Sequence, residues 1–384
     1  MVARELQSVS DVGIGMGYKK LVIVFSVATV VFVAFNYFIW SNWTKVLLTQ
    51  QYSGGDLARM GYHIGSKQYR HILNDLPLRH LEMKDFRGQQ VGVLTIGDSF
   101  SNGGGEGRNS YYQDYIASIN KCTVLNVMPY PSADRIMFFQ PVTTLAVLFN
   151  SGYLDQIRPR YVLLQTAERY AILRFAVPFT FRQSDSVENL RKYYGDLNID
   201  WENYLPRVSF INTGNFAFIY NNVLSRFSDN AFNNKVYRVQ LDRSLFTAQD
   251  DSKLLFFNEE LLNMAFATPG SIRLMNDNLN RLSDILAQKG IKLSFMPIVD
   301  KYNMYSEFVV NNRYPRSIFF EELRTLPHRY MFIDTKKILK DRLLRGEKDI
   351  FFADDTHWTW RASQAVFEKV LFTGCCDATE LRQH

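Results

Sequence analysis

Cysteine is nearly missing from this sequence. Only Cys122, Cys375 and Cys376 occur, and three thiols cannot all pair within one chain. A bridge from Cys122 to one of the adjacent pair suits an extracytoplasmic protein, while three free thiols suit any compartment. Both readings stay open. No Cys/His spacing matches a zinc site, so no metal centre is expected, and nothing calls for a cofactor. Histidine is equally sparse, with six among 384 residues. No dense Lys/Arg block interleaves with aromatics, which argues against nucleic acid as a partner. Internal repeats, low-complexity tracts and heptad arrays are missing too. Charged residues make up 21% and apolar ones 47%, a balance that supports a packed core and argues against disorder. The net charge of +6 is mild and compatible with an acidic glycan or an anionic membrane surface. Aromatics are plentiful, with 30 Phe and 21 Tyr. Core packing is their common use and a sugar-binding cleft is another.

One long stretch carries no charge, from Leu21 to Trp40 (LVIVFSVATVVFVAFNYFIW). Twenty helical residues span about 30 Å, the thickness of a bilayer core. Lys19 and Lys20 precede the run, and Trp40 and Trp43 stand at its far end. The positive-inside and interfacial-aromatic rules agree on an orientation. Residues 1–20 are expected in the cytoplasm, 21–40 as a single-pass anchor in the inner (cytoplasmic) membrane, and the rest outside. A cleaved signal peptide is the rival. The run is long for one, and no Ala-x-Ala-like site follows it. A buried soluble helix is disfavoured because the stretch has no polar face.

Residues 41–87 are mixed and polar, with Gly54-Gly55 among them, and read as a stalk with short helices. A rhythm then begins. Short aliphatic runs at 91–96, 123–128, 161–165, 292–299 and 330–334 are bounded by turn formers, as buried parallel strands are. Helix-like stretches lie between them at 111–119, 136–150 and 271–289. The last carries Ile272, Met275, Leu279, Leu282 and Ile285 at three- and four-residue steps, with Gly290 as its stop. The alternation predicts an α/β domain with a central parallel sheet over 88–372, leaving 373–384 as a tail. Residues 175–270 break the rhythm. They read as an insertion over the active-site edge, either a substrate lid or a peripheral piece.

Two motifs carry chemistry. Gly97-Asp98-Ser99-Phe100 follows directly on the first run. Glycine permits a sharp turn there, and a serine just past it sits at the sheet's carboxyl edge. Alone the tripeptide is weak, since Asp and Ser are common turn residues. A serine nucleophile needs a base, and the base needs an acceptor that fixes its tautomer. Asp355 and His357 of Asp355-Thr356-His357-Trp358 provide that pair two residues apart, ahead of a helix-like segment at 362–371. Asp354 is a second carboxylate that can replace Asp355 or cap a turn. Of the other histidines, His63, His71 and His80 fall in the stalk, His384 is terminal, and His328 has no neighbouring motif. His357 is therefore the base candidate. The Gly103-Gly104-Gly105 run lacks the Gly-Lys-Ser/Thr ending of a phosphate loop.

Two further segments stand between these motifs: a strand ending in Glu168-Arg169-Tyr170, and Pro297-Ile298-Val299-Asp300-Lys301-Tyr302 with Tyr305 beyond it. Together the four segments, in this order, resemble the SGNH hydrolase superfamily. Within it they resemble the branch typified by the alginate O-acetyltransferase proteins. The resemblance runs from about residue 88 to 372, without the insertion. It implies an SGNH-like three-layer fold with Ser99 as nucleophile, His357 as base and Asp355 as orienter. It makes Arg169, Lys301 and Tyr302 candidate substrate or acetyl-site contacts. Each has a bland alternative, an ion pair with Glu168 or a neighbour for Arg169 and plain loop positions for the other two. Trp358 either packs under His357 or stacks on a sugar. Two departures stand out. The Gly-x-Asn-Asp block whose Asn binds the oxyanion is replaced by Thr166-Ala167-Glu168-Arg169, which leaves Asn102 or an N–H from Gly103 to Gly105 for that role. The serine also precedes Asp-x-His, whereas some members of the branch reverse that order.

The implied activity is O-acetylation of a cell-surface polysaccharide or peptidoglycan outside the membrane, through an acyl-serine. The resemblance also implies a polytopic membrane O-acyltransferase as partner, passing the acetyl group outward. A glycan O-acetyl esterase and a non-catalytic glycan-binding or scaffold subunit are the alternatives.

Overall fold

Short aliphatic runs that turn formers bound can bury both faces only inside a covered sheet. They do so here. The structure is a computed structural model. It describes residues 2–49, 55–70, 76–105, 111–131, 140–197, 208–231 and 235–375, with side chains from Tyr18 onward. Gly54, His71, the start of the helix expected at 136, Cys376 and His384 lie outside the described residues.

Helix α1 (Val2–Ile39) holds the charge-free run and continues through one π-helical turn (Trp40–Thr44) into α2 (Lys45–Thr49). By length and composition, Tyr18–Thr49 can cross a membrane. Then come α3 (Asp56–Gly61), β1 (Leu81–Glu82), β2 (Val93–Ile96), α4 (Tyr112–Asn120) and β3 (Val124–Val127). Next are α5 (Pro141–Asn150), α6 (Tyr153–Ile157), β4 (Tyr161–Ala167) and α7 (Glu168–Phe175). The insertion supplies α8 (Val187–Asp196), α9 (Thr213–Leu224), β5 (Val236–Gln240), β6 (Lys253–Phe257) and α10 (Asn258–Leu262). The chain closes with α11 (Pro269–Ala287), β7 (Lys292–Ile298), α12 (Lys301–Tyr305), α13 (Phe319–Thr325), β8 (Met331–Phe332), α14 (Thr335–Leu344) and α15 (Trp360–Phe367).

The sheet is parallel throughout, in the order β1-β3-β2-β4-β7-β8. Every residue of β2, β3 and β4 is buried. Helices α4, α15 and α14 pack as one group, and α5, α7, α11 and α13 as another. This is an SGNH-like α/β domain. β2 lies between β3 and β4, so successive connections leave it in opposite directions. A crevice opens at the carboxyl end of such a strand, and Ser99 sits three residues past Ile96.

Helix α11 shows how closely pattern and packing agree. Thr268 caps it by accepting from Ser271 N at 3.2 Å, Pro269 opens its first turn, and Gly290 ends the segment at φ +73°. Ile272, Met275, Leu279 and Leu282 are buried as the spacing predicts, but the last anchor is Leu286 rather than half-buried Ile285. A 3.6-residue period drifts by that amount over four turns.

One expectation changes and two open ones narrow. Residues 41–87 are not a free stalk: β1 pairs with β3, and 55–70 lie against the loop that carries Asp355 and His357. Composition misled here because the charges of this segment are matched to distant carboxylates. The insertion does not form one lid. α9 packs on α1, the antiparallel β5–β6 ribbon packs on α3, and Glu260 of α10 accepts from Tyr302 N at 2.7 Å. Cys122 and Cys375 are buried and unbridged, with a hydrogen bond between their thiols.

Leu286 is fully buried between α11 and the sheet. Leu286→Ala is expected to destabilise the chain by about 2–5 kcal/mol, read as a lowered urea midpoint of the detergent-solubilised protein with an unchanged m-value.

Candidate active site

The segment after β2 is shaped by a buried polar network. Gln165 Oε1 accepts from Asp98 N (3.0 Å) and from Ser101 Oγ (2.8 Å). Gln113 Nε2 and Asn126 Nδ2 both donate to Ser101 O, at 2.8 and 3.1 Å. Asp98 accepts from Ala167 N at 2.8 Å, Gln165 Nε2 at 2.9 Å and Arg174 Nη1 at 2.7 Å. Burial alone would raise the Asp98 carboxyl, but Arg174 and these donors hold it below its ordinary value. Buried Asp98 and Phe100 thus pin both sides of Ser99, which is itself exposed.

The second loop is a tight return from Phe351 to Trp358, closed by their β-bridge and by Thr359 N to Ile350 O at 2.9 Å. It projects Asp355 and His357 to one side. His357 Nε2 lies 2.7 Å from Ser99 Oγ, and its Nδ1 lies 2.6 Å from Asp355 Oδ1. Asp355 Oδ1 also accepts from His357 N at 3.0 Å. Burial would lower the imidazole, yet Asp355 raises it above its ordinary 6.5. Burial would likewise raise the Asp355 carboxyl, and His357 and Arg70 draw it far down. Gly104 makes the approach possible, since a Cβ there would stand 2.3 Å from His357 Nε2. A hydroxyl, imidazole and carboxylate in this order can move a proton from oxygen to nitrogen while the carboxylate holds the tautomer.

The N-terminal segment clamps this loop from outside. Arg70 donates from Nη1 to Asp354 Oδ1 (2.7 Å), from Nη2 to Asp355 Oδ2 (3.2 Å) and from Nε to Gly105 O (3.1 Å), and its guanidinium covers the Phe352 ring. One side chain therefore ties the serine loop to the histidine loop. Asp354 Oδ2 accepts from Gly55 N and Gln68 N, both at 3.0 Å, so Asp354 docks this segment and Asp355 is the His partner. A Cβ on Gly55 would stand 2.2 Å from Asp354 O. Asp56 accepts from Thr356 N (2.7 Å) and Thr356 Oγ1 (2.5 Å), and burial, with Asp355 nearby, pushes its carboxyl up to about 6. Ligand atoms of Asp56, Asp355 and His357 lie within 4.8 Å of one another. Their oxygens and ring nitrogen are engaged in hydrogen bonds, Asp355 with His357 and Asp56 with Thr356, which tie the N-terminal segment to the histidine loop.

The remaining candidates separate by position. Asn102 is buried and its Oδ1 accepts from Asn126 Nδ2 at 3.4 Å, which leaves its amide NH2 as a donor in the serine loop. Gly104 N is committed to Ser99 O at 2.7 Å, which removes it from the oxyanion candidates. Arg169 is paired with Asp300 at 2.6 Å, not with Glu168. Glu168 is buried among Asp300 N, Asn303 Nδ2 and Ser317 Oγ. Lys301 is buried and donates to Ala353 O (3.0 Å) and Asp355 O (3.1 Å), and burial pulls its amine down to about 8. Tyr302 is fully buried, with its hydroxyl on Asn312. Lys301 thus supports the histidine loop from beneath, while Tyr302 packs on Phe256 and Tyr314; both side chains are buried, against their reading as substrate contacts. Trp358 is buried edge-on to Phe100, the packing role. Arg70, Asp56, Gln165 and Arg174 escaped sequence reasoning, because each is a lone polar residue whose partner is fixed only by the fold.

Residues 251–371 match the family described as the SGNH hydrolase-like domain of the acetyltransferase AlgX. The matched stretch contains Asp355 and His357 and excludes Ser99. It supports the resemblance drawn from the motifs. Searches of curated proteins and of solved structures found no match.

Removing Arg70 would leave two buried carboxylates without their shared cation. Arg70→Met is expected to destabilise the protein by about 3–5 kcal/mol, seen as a lowered melting temperature of the purified chain. Asp98 is held by Arg174 on the other side of the serine, so the Arg70 variant should keep its secondary structure by circular dichroism while the melt shifts.

Proposed function

We propose that this chain is a membrane-anchored, extracytoplasmic O-acetyltransferase that works through an acyl-enzyme on Ser99. The observation that carries the reading is the unbroken relay from exposed Ser99 Oγ through His357 to Asp355, at the carboxyl end of β2. The acetyltransferase family matched over 251–371 supports the reaction class. The apolar helix α1, with lysines before it and tryptophans after it, supports a single inner-membrane span with the catalytic domain outside.

In the first half-reaction His357 Nε2 takes the Ser99 proton and Oγ adds to the acetyl carbonyl of the donor. Ser99 N–H and the Asn102 amide are the donors nearest in sequence for the resulting oxyanion. Collapse expels the leaving group, which receives the proton from His357, and leaves acetyl-Ser99. In the second half His357 deprotonates an acceptor hydroxyl, which attacks the ester and regenerates the serine. A sugar hydroxyl makes the reaction a transfer, and water makes it a hydrolysis. A groove of about 500 Å³ lies between α5, α7 and α11. Tyr130, Phe179, Gln140 and Gln183 line it together with Arg174, whose guanidinium bonds Asp98, while Ser99 and His357 stand outside its lining. Aromatic faces with amides between them suit a polysaccharide or peptidoglycan strand. A polytopic membrane O-acyltransferase is the partner that would supply acetyl groups from the cytoplasm.

The full chain in detergent, given p-nitrophenyl acetate and a glycan oligomer, is expected to yield acetylated oligomer by mass spectrometry. Free acetate alone would make it an esterase, and turnover that survives in Ser99→Ala would sink the nucleophile assignment. The expected loss in Ser99→Ala is about 10³-fold or more in kcat. The imidazole must be neutral to act, and its pKa is raised, so the inactive protonated form persists to higher pH. The acid limb of kcat/KM should therefore have its midpoint above 6.5. In Asp355→Asn the main influence that raises the imidazole is lost, leaving burial opposed by the smaller effect of Asp56, and the limb should move to lower pH, with kcat down by about 10⁴-fold.

A further inference from the structure

We infer that α9 is a second membrane element, lying in the outer-leaflet hydrocarbon beside α1 with its apolar face against lipid acyl chains. The inference rests on the reading of α1 as a membrane span. Sequence first separates this segment from the rest of the insertion. From Val208 to Ser225 there is no charged residue, and Arg207 and Arg226 bracket the stretch. Within α9, Phe216, Tyr220 and Val223 recur at steps of four and three, on one helical face.

That face is not turned into the protein. Phe216, Tyr220 and Val223 are each close to half exposed, as are Phe210 and Ile211 just before the helix. The opposite face is docked: Phe218 stacks on Trp43 at 5.5 Å. Contacts with α1 fix the depth of the exposed face. Phe216 stacks on Phe32 (6.1 Å) and packs on Phe35 (5.0 Å), and Phe210 meets Tyr37 edge-on. Phe35 and Phe32 lie about 8 and 12 Å below Trp40 along the helix axis. If Trp40 and Trp43 mark the interface, Phe216 stands well inside the apolar layer. An apolar groove of about 590 Å³ is lined by Phe35, Phe216, Tyr220 and Val223, as an acyl chain requires.

The polar groups at this depth are satisfied internally, which a lipid environment demands. Asn36 is the one amide in the apolar run, and it is fully buried. Its Oδ1 accepts from Asn215 Nδ2 at 2.8 Å, and Asn215 Oδ1 accepts from Thr44 Oγ1 at 2.5 Å. Asn212 caps the helix on Asn215 N, while Asn222 Nδ2 donates to Phe218 O and Tyr62 O. Polar bonds face the protein and apolar rings face away. The exposed face is also continuous with the outward residues of α1, so the surface that would surround α1 surrounds α9 too. Two elements at different positions would hold the catalytic domain in one orientation on the membrane.

The test uses the full chain, reconstituted alone in phosphatidylcholine vesicles containing a lipid with a diazirine on its acyl chain. After irradiation, peptides are mapped by mass spectrometry. Adducts are expected on α1 and on the 208–227 segment. The double variant Phe216→Glu, Tyr220→Glu should lower those on 208–227 by about tenfold or more, with p-nitrophenyl acetate hydrolysis unchanged as proof of folding. Adducts on α1 with none on 208–227 would overturn the inference and leave the anchor standing. Adducts on neither would overturn the anchor reading as well.

Discussion

A buried carboxylate at Asp355 is the constraint around which the site is assembled. Burying an unpaired charge costs several kcal/mol even after relaxation, so every group near Asp355 has to answer it. His357 answers with its ring and its backbone N–H, Arg70 with its guanidinium, and Asp56 with its amide at 3.3 Å. These groups come from both ends of the chain. The same demand that orients the imidazole therefore closes the domain over its N-terminal segment.

The serine loop obeys a parallel logic on the other side. Asp98 is as deeply buried, and Arg174, Gln165 and Ala167 N satisfy it. Two buried acids, each with its own arginine, hold the two loops, and Ser99 and His357 meet between them. Arg70 reaches across to Gly105 O and links the two halves. Preorganisation of this kind keeps a hydroxyl and an imidazole at hydrogen-bond distance without help from a substrate. Lys301 adds a third support, under the carbonyls of Ala353 and Asp355.

Helix α1 is joined to the domain by more than a tether. The π-turn at Trp40–Thr44 brings Thr44 to Asn215, α2 packs on α3, and Gly55 and Asp56 at the start of α3 bond the histidine loop. A run of contacts thus leads from the apolar helix to the histidine loop. Placement of the apolar helix and geometry of the proposed catalytic pair both depend on the N-terminal segment, the one that looked like a spacer.

Much of this was legible in the chain alone. Periodicity carried the parallel sheet and α11, because burial on both faces leaves a continuous apolar run and one-sided burial leaves a 3.6-residue stripe. The Ser99, Asp355 and His357 motifs were readable because chemistry ties residue type to short spacing. A charge-free run of membrane length marked α1 for the same local reason. The fold alone decided the rest. Asp354 became a docking group and Asp355 the histidine's partner, since only the path of the Phe351–Trp358 return sets which carboxylate faces the ring. Arg70, Arg174 and Gln165 were invisible because their partners lie far away in sequence, and no local pattern encodes a charge match across that distance. Lys301 and Tyr302 sat in a recognisable motif, yet the packing of α12 turned them inward. Local physics writes itself into neighbouring residues, whereas the compensation of buried charge is settled only when the chain is closed.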